Sequence, residues 1–75
     1  MNDSDYLIAL GLNIKRIRSE KGLMQLELAD LCGLDKQALY RIEKGNTNVT
    51  VKTLRRIAKA LDVTVIDLLN FKTKK

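Results

Sequence analysis

The chain has 75 residues, of which 45% are hydrophobic and 31% charged, so it has room for one small core and does not have the composition of a disordered tail. A single cysteine excludes an internal disulfide, and the lack of histidine excludes the usual zinc spacings and removes the commonest general base, so no metal, cofactor or enzymatic activity is expected. Fourteen Lys and Arg against nine Asp and Glu give a net charge of +5, which favours an anionic partner such as nucleic acid or a membrane surface; without Lys72, Lys74 and Lys75 the balance is +2, so the arrangement of charge must carry the case.

The first residues, MNDSDY, lack the basic start and apolar middle of a signal peptide, and no apolar run approaches the roughly 18 residues of a membrane span, so a cytoplasmic location is expected. From Leu7 the residues Leu10, Ile14 and Ile17 recur at steps of three and four, which predicts a first helix over residues 4–21, capped by Ser4 and ended by Gly22. A second helix spans residues 25–32, with Leu28, Ala29 and Cys32 on one side and Gly33 supplying a left-handed turn. Asp35 reads as the cap of a third helix whose buried side is Ala38, Leu39 and Ile42 and whose end is Gly45. After the loop at 46–49, Thr50 caps a fourth helix with Val51, Leu54, Ile57, Ala58 and Leu61 on its apolar side. Thr64 and Asp67 make a near capping box for a last short helix through Asn70. Period-2 alternation is confined to residues 63–66, too brief for a strand. The reading is all-α, with one domain over residues 1–71 and a basic tail at 72–75.

Placed at 100° steps, Lys36, Gln37, Tyr40, Arg41 and Lys44 of the third helix fall within a stripe about 140° wide. Lysine or arginine can meet guanine O6 and N7, glutamine can pair with adenine N6 and N7, and tyrosine can offer its hydroxyl or pack on a thymine methyl. A solvated polar face is the other reading of such a stripe, and the wheel alone leaves both open. Residues 25–44, QLELADLCGLDKQALYRIEK, resemble the helix-turn-helix of the phage-repressor, Cro and Xre-type family. Ala29 stands where two helices cross, Gly33 at the turn, and Leu28, Leu34, Leu39 and Ile42 at the apolar anchors. IKRIRSEKGL before the motif and TVKTLRRIAKALDVTVIDLL after it extend the similarity over roughly residues 12–70. The resemblance implies a compact five-helix, lambda-repressor-like domain with double-stranded DNA as its partner. It makes Lys36, Gln37, Tyr40 and Arg41 the candidate base readers and Lys44 a candidate phosphate contact.

Gln25 opens the second helix, where unpaired N–H groups and the helix dipole attract an anion, and in similar proteins this position touches the DNA backbone. The loop after Gly45 is a second candidate clamp through Asn46, Thr47 and Asn48, although the same residues are ordinary turn chemistry. Lys52 lies close enough to that loop to join it, whereas Arg55, Arg56 and Lys59 read more readily as a solvated face. Arg18 and Glu43 border the apolar stripes of their helices, and similar proteins pair an arginine with a glutamate at these positions. The resemblance therefore implies a partly buried ion pair that positions the third helix. Cys32 reads as a small core residue. Two positions depart from the family pattern: Met24 replaces the usual threonine or serine cap, and Leu26 replaces a charged residue, either as a lone exposed leucine or as a contact with a partner protein.

One such motif contacts few base pairs, so a homodimer on a palindromic operator is expected, with half-site centres about 34 Å apart. Val65, Leu68 and Leu69 fit the core stripe of the last helix, while Ile66 and Phe71 have no obvious internal place. Ile66, Leu69 and Phe71 are the candidate dimer interface, with Ile8 and Leu12 as backups; the competing reading packs Ile66 and Phe71 on the first helix. The function expected is a sequence-specific DNA-binding transcriptional regulator of phage Cro-like or restriction-modification controller type. It would block or contact RNA polymerase and need no small-molecule effector. The alternatives are an antitoxin that binds a toxin protein and regulates its own operon, and a helical adaptor that does not bind DNA.

Overall fold

The computed structural model describes residues 2–72 as five α-helices: α1 (Asp3–Glu20), α2 (Gln25–Cys32), α3 (Lys36–Lys44), α4 (Val51–Leu61) and α5 (Val65–Leu69). No strand occurs among the described residues, and none of their helices is long and apolar enough to cross a membrane. The lysines at 74 and 75 lie outside the described residues.

The start of α1 corrects the sequence reading. Asn2, not Ser4, is its cap: the Asn2 Oδ1 accepts from the Asp5 N–H at 2.8 Å, and Asp3 and Asp5 place negative charge at the positive end of the helix dipole. Asp35 and Met24 occupy the cap positions of α3 and α2 without a side-chain cap bond. At α2 the carboxylate of Glu27 instead reaches back to the Met24 N–H at 2.8 Å. Thr64 and Asp67 close a full capping box, with the Thr64 N–H on Asp67 Oδ2 at 2.9 Å and the Asp67 N–H on Thr64 Oγ1 at 3.0 Å. Helix α5 ends at Leu69, one residue short of the expected Asn70, whose ψ of 81° has left the helical region.

Three helices end by folding an apolar residue back onto the core. Leu23, Leu34 and Val63 donate their N–H groups to the carbonyls of Arg18, Ala29 and Ala58, and each packs against the core cluster. Helix α3 ends through the same kind of turn, with Gly45 at φ 76°, but the residue that returns its N–H to Arg41 is the exposed Asn46. The chain therefore leaves α3 along the surface.

Ile14, Leu28, Leu39, Ile57, Leu61 and Leu68 are the largest fully buried side chains of one core to which all five helices contribute. Helix α1 packs on α3 and α5, α2 on α3 and α4, and α4 on α5. The buried Asn13 ties α1 to the end of α5, its Nδ2 donating to the carbonyls of Asp67 (3.1 Å) and Leu68 (2.8 Å) while its Oδ1 accepts from Arg16. Phe71 is half-buried against the core and meets Tyr6 edge to face, with ring centroids 5.0 Å apart. Leu69, expected in the core stripe, is 38% exposed, and Ile66 is 77% exposed.

Candidate nucleic-acid interface

Helix α3 divides along its length. Leu39, Ile42 and Glu43 are buried, Ala38 is half-buried, and Lys36, Gln37, Tyr40, Arg41 and Lys44 are exposed. The Lys44 ammonium lies 5.6 Å from the Tyr40 ring centroid, a cation–π contact that draws the two side chains together on the outer face.

Beneath that face Glu43 is the only buried acid among the described residues, and both of its carboxylate oxygens accept hydrogen bonds. Arg18 Nε donates to Oε2 at 2.7 Å and Arg18 Nη2 to Oε1 at 3.0 Å, while Gln25 Nε2 adds a third bond to Oε1 at 3.0 Å. Arg18 Nη1 also donates to the Leu23 carbonyl at 2.8 Å. The network joins α1, the first residue of α2 and the last turn of α3. One amide hydrogen of Gln25 is thereby turned inward. The groove above the network has a volume of about 290 Å³, and Lys15 stands on its wall beside Tyr40 and Lys44, a cation that the sequence pattern did not single out.

Main-chain contact fixes the same junction. A Cβ placed on Gly11 would lie 2.5 Å from the Glu43 carbonyl oxygen and nearer still to that of Ile42; one on Gly45 would lie 2.6 Å from the Ile8 Cα. Glycine inside a helix costs about 0.5–1 kcal/mol relative to alanine. At Gly11 its lack of a side chain lets α1 touch the end of α3. The only signal in the sequence was a glycine in the middle of a helical pattern.

The remaining candidates flank α3 on its other side. Arg41, Thr47, Asn48, Thr50 and Thr53 line a shallow groove where α3, the loop and the start of α4 meet. Asn46 and Asn48 are exposed and Thr47 is half-buried, but the Asn46 N–H is already given to Arg41. Lys52 is exposed on the first turn of α4 and shares an open groove with Arg55, Arg56 and Lys59. Burial pushes the Cys32 thiol above its usual range, against a smaller opposing pull from Arg56, as expected of an inert core cysteine. Among the described residues no cluster of acids and cysteine is arranged to hold a metal ion.

A family model described as Helix-turn-helix matches residues 14–68, a span that includes the α2–turn–α3 unit and the helices that brace it. The chain belongs to this helix-turn-helix family. A family relative is the HTH-type transcriptional regulator y4dJ of Sinorhizobium fredii, 42% identical over 59 residues that cover 79% of this chain and 77% of that protein. The control protein C.BamHI of Bacillus amyloliquefaciens is 36% identical over 67 residues, 88% of this chain and 83% of its own. Among solved helix-turn-helix structures, the restriction-modification controller protein C.AhdI of Aeromonas hydrophila superposes with a TM-score of 0.81 at 35% identity, covering 83% of this chain and 94% of the other.

Proposed function

We infer that this chain is a sequence-specific DNA-binding transcription regulator that lays α3 in the major groove of a duplex. The observation that carries the reading is the outer face of α3. Five exposed side chains able to bond base edges or phosphates stand on a helix whose inner face is fixed by apolar packing and by the Arg18–Glu43–Gln25 network. In this reading Lys36, Gln37, Tyr40 and Arg41 read bases. Lys44, Asn46, Thr47, Asn48 and Lys52 hold phosphates, together with the start of α2 at Gln25, and so fix the register in which the bases are read.

One α3 reaches only a few base pairs, so the regulator acts as a homodimer on an inverted repeat with half-site centres about 34 Å apart. Ile66 and Leu69 of α5 are the apolar side chains available for the twofold contact. Control follows from where the operator lies, by occluding RNA polymerase or by touching it. The names of the relatives, a transcriptional regulator and two control proteins, support this reading. Footprinting on the DNA upstream of the chain's own gene tests it. Protection is expected in two patches on one face of the duplex, about one helical turn apart and related by inverted symmetry; an absence of protection, or protection of a sequence with no such symmetry, would overturn it.

A further inference from the structure

Helix α4 differs from the other four helices in carrying no acidic residue. Its Lys52, Arg55, Arg56 and Lys59 are all exposed and fall within one wheel arc of about 100°, opposite the buried Leu54 and Ile57. The ion pairs among the described residues are Arg16–Glu20 and Arg18–Glu43, so none of these cations is neutralised, and Asp62, the C-cap just beyond them, pairs with none.

This arrangement works against its own helix. Lys52–Arg55, Lys52–Arg56, Arg55–Lys59 and Arg56–Lys59 stand three or four residues apart, where like charges destabilise a helix. Lys52 also lies in the first turn, at the positive end of the dipole, where α1, α2 and α5 carry acids instead. A bound anion relieves both. A protein contact has an apolar centre, and a helix lying on a membrane has an apolar face that enters the lipid. On α4 the only exposed large apolar side chain is Val51, which fits neither. The stripe is instead continuous with the candidate interface: Thr50 and Thr53 line the groove with Arg41 and the loop, while Val51 and Lys52 open the groove of the stripe. From Lys52 to Lys59 it runs about 10 Å along the helix axis, the length of about three phosphates of one strand.

We propose that the outer face of α4 is a second, sequence-independent site for the phosphate backbone of the duplex that α3 reads, in which Arg55, Arg56 and Lys59 extend the contact begun by Lys52. The proposal rests on the DNA-binding reading and divides its labour: α3 discriminates between sequences, while α4 supplies affinity for any duplex. That affinity holds the regulator on DNA of any sequence and lets it slide to its operator.

The test uses the full chain, a duplex carrying the upstream operator and a scrambled duplex of equal length, with binding read by fluorescence anisotropy over a range of salt. The double variant Arg55→Gln with Lys59→Gln keeps good helix formers and removes a like-charged pair, so its melting temperature should equal or exceed that of wild type. Its slope of log K against log salt should be shallower by about 1.8, two contacts at about 0.9 each, so that between about 50 and 200 mM salt wild type loses about tenfold more affinity than the variant does. Operator and scrambled duplex should weaken by the same factor within about twofold, because phosphate contacts carry no sequence information. Arg55→Lys, which keeps the charge, should keep the wild-type slope. An unchanged slope in the double variant, a loss confined to the operator, or a slope altered by Arg55→Lys overturns the proposal. If wild type binds neither duplex, the DNA-binding reading itself fails, whereas wild-type binding with an unchanged slope in the double variant sinks the α4 site alone.

Discussion

Glu43 shows how a single side chain can serve stability and presentation together. Its carboxylate is buried with three donors on it, and the main partner, Arg18, is itself almost wholly covered, with side-chain exposures of 3% and 11%. Taking such charges out of water is expensive, and their attraction offsets the expense only while both are present. Glu43→Ala therefore leaves a buried guanidinium unpaired and should cost about 3–5 kcal/mol in urea unfolding, a large share of the roughly 5–15 kcal/mol of a small domain. The double variant Arg18→Met with Glu43→Leu should recover most of that stability. It should not recover operator affinity if the pair sets the angle of α3, and anisotropy on the same variants separates the two roles. The exposed residues of α3 behave differently, because they touch little of their own protein. Gln37→Ala or Arg41→Ala should leave stability unchanged, weaken operator binding by about 1–3 kcal/mol each and relax the preference for one base pair. Lys44→Ala should weaken binding to all sequences alike and lower the salt slope of log K by about 0.9.

At the scale of elements, local chemistry in the sequence accounts for most of what is observed. Helices α2, α3 and α4 run between the residues that their apolar spacing and terminal glycines or threonine indicate, because steps of three and four and a cap act within a few residues of each other. The start of α1 needed correction because its cap is settled locally but competitively, Asn2 over Ser4, and other meetings escape the sequence because they are made at long range. Gly11 packs on a carbonyl 32 residues away, Asn13 bonds a carbonyl 55 residues away, and Phe71 finds Tyr6 at the other end of the chain. No periodicity encodes those meetings. The same limit applies to the candidate interface: the α3 stripe was legible from a wheel, whereas Lys15 comes to line a groove with Tyr40 and Lys44 only because α1 folds against α3. The α5 capping box gives this scale a pH test. Hydrogen bonds from the Thr64 backbone and hydroxyl hold the Asp67 carboxyl below its usual range. A folded-state value lowered in this way contributes stability that is complete above the unfolded value of about 3.9 and lost as pH falls through the lower folded value. In thermal melts Asp67→Ala should therefore sit below wild type at pH 7, with the gap closing as the pH falls below the unfolded value of about 3.9.

For the whole molecule the decisive contrast is between the two aromatic or branched residues at its C-terminal end. Both Ile66 and Phe71 lacked an internal place by sequence pattern, yet the fold treats them oppositely: Phe71 is half-buried against Tyr6 and the core, while Ile66 stands 77% exposed on α5. A large apolar side chain left this far out contributes little to the monomer, so replacing it should cost the fold little, within about 0.5 kcal/mol. If α5 forms the twofold contact, Ile66→Glu places two like charges face to face across the axis and should convert a dimer into monomers in sedimentation equilibrium. The monomer would hold one half-site with one α3, so its affinity for the inverted repeat should fall more than tenfold and no longer depend on the spacing between half-sites. Phe71→Ala should show the reverse pattern, a loss of about 1–3 kcal/mol in unfolding with self-association retained, since what it removes is packing on α1. Dimers that survive Ile66→Glu would move the twofold contact away from α5, and dimers that dissociate in Phe71→Ala without loss of stability would place that ring in the contact after all.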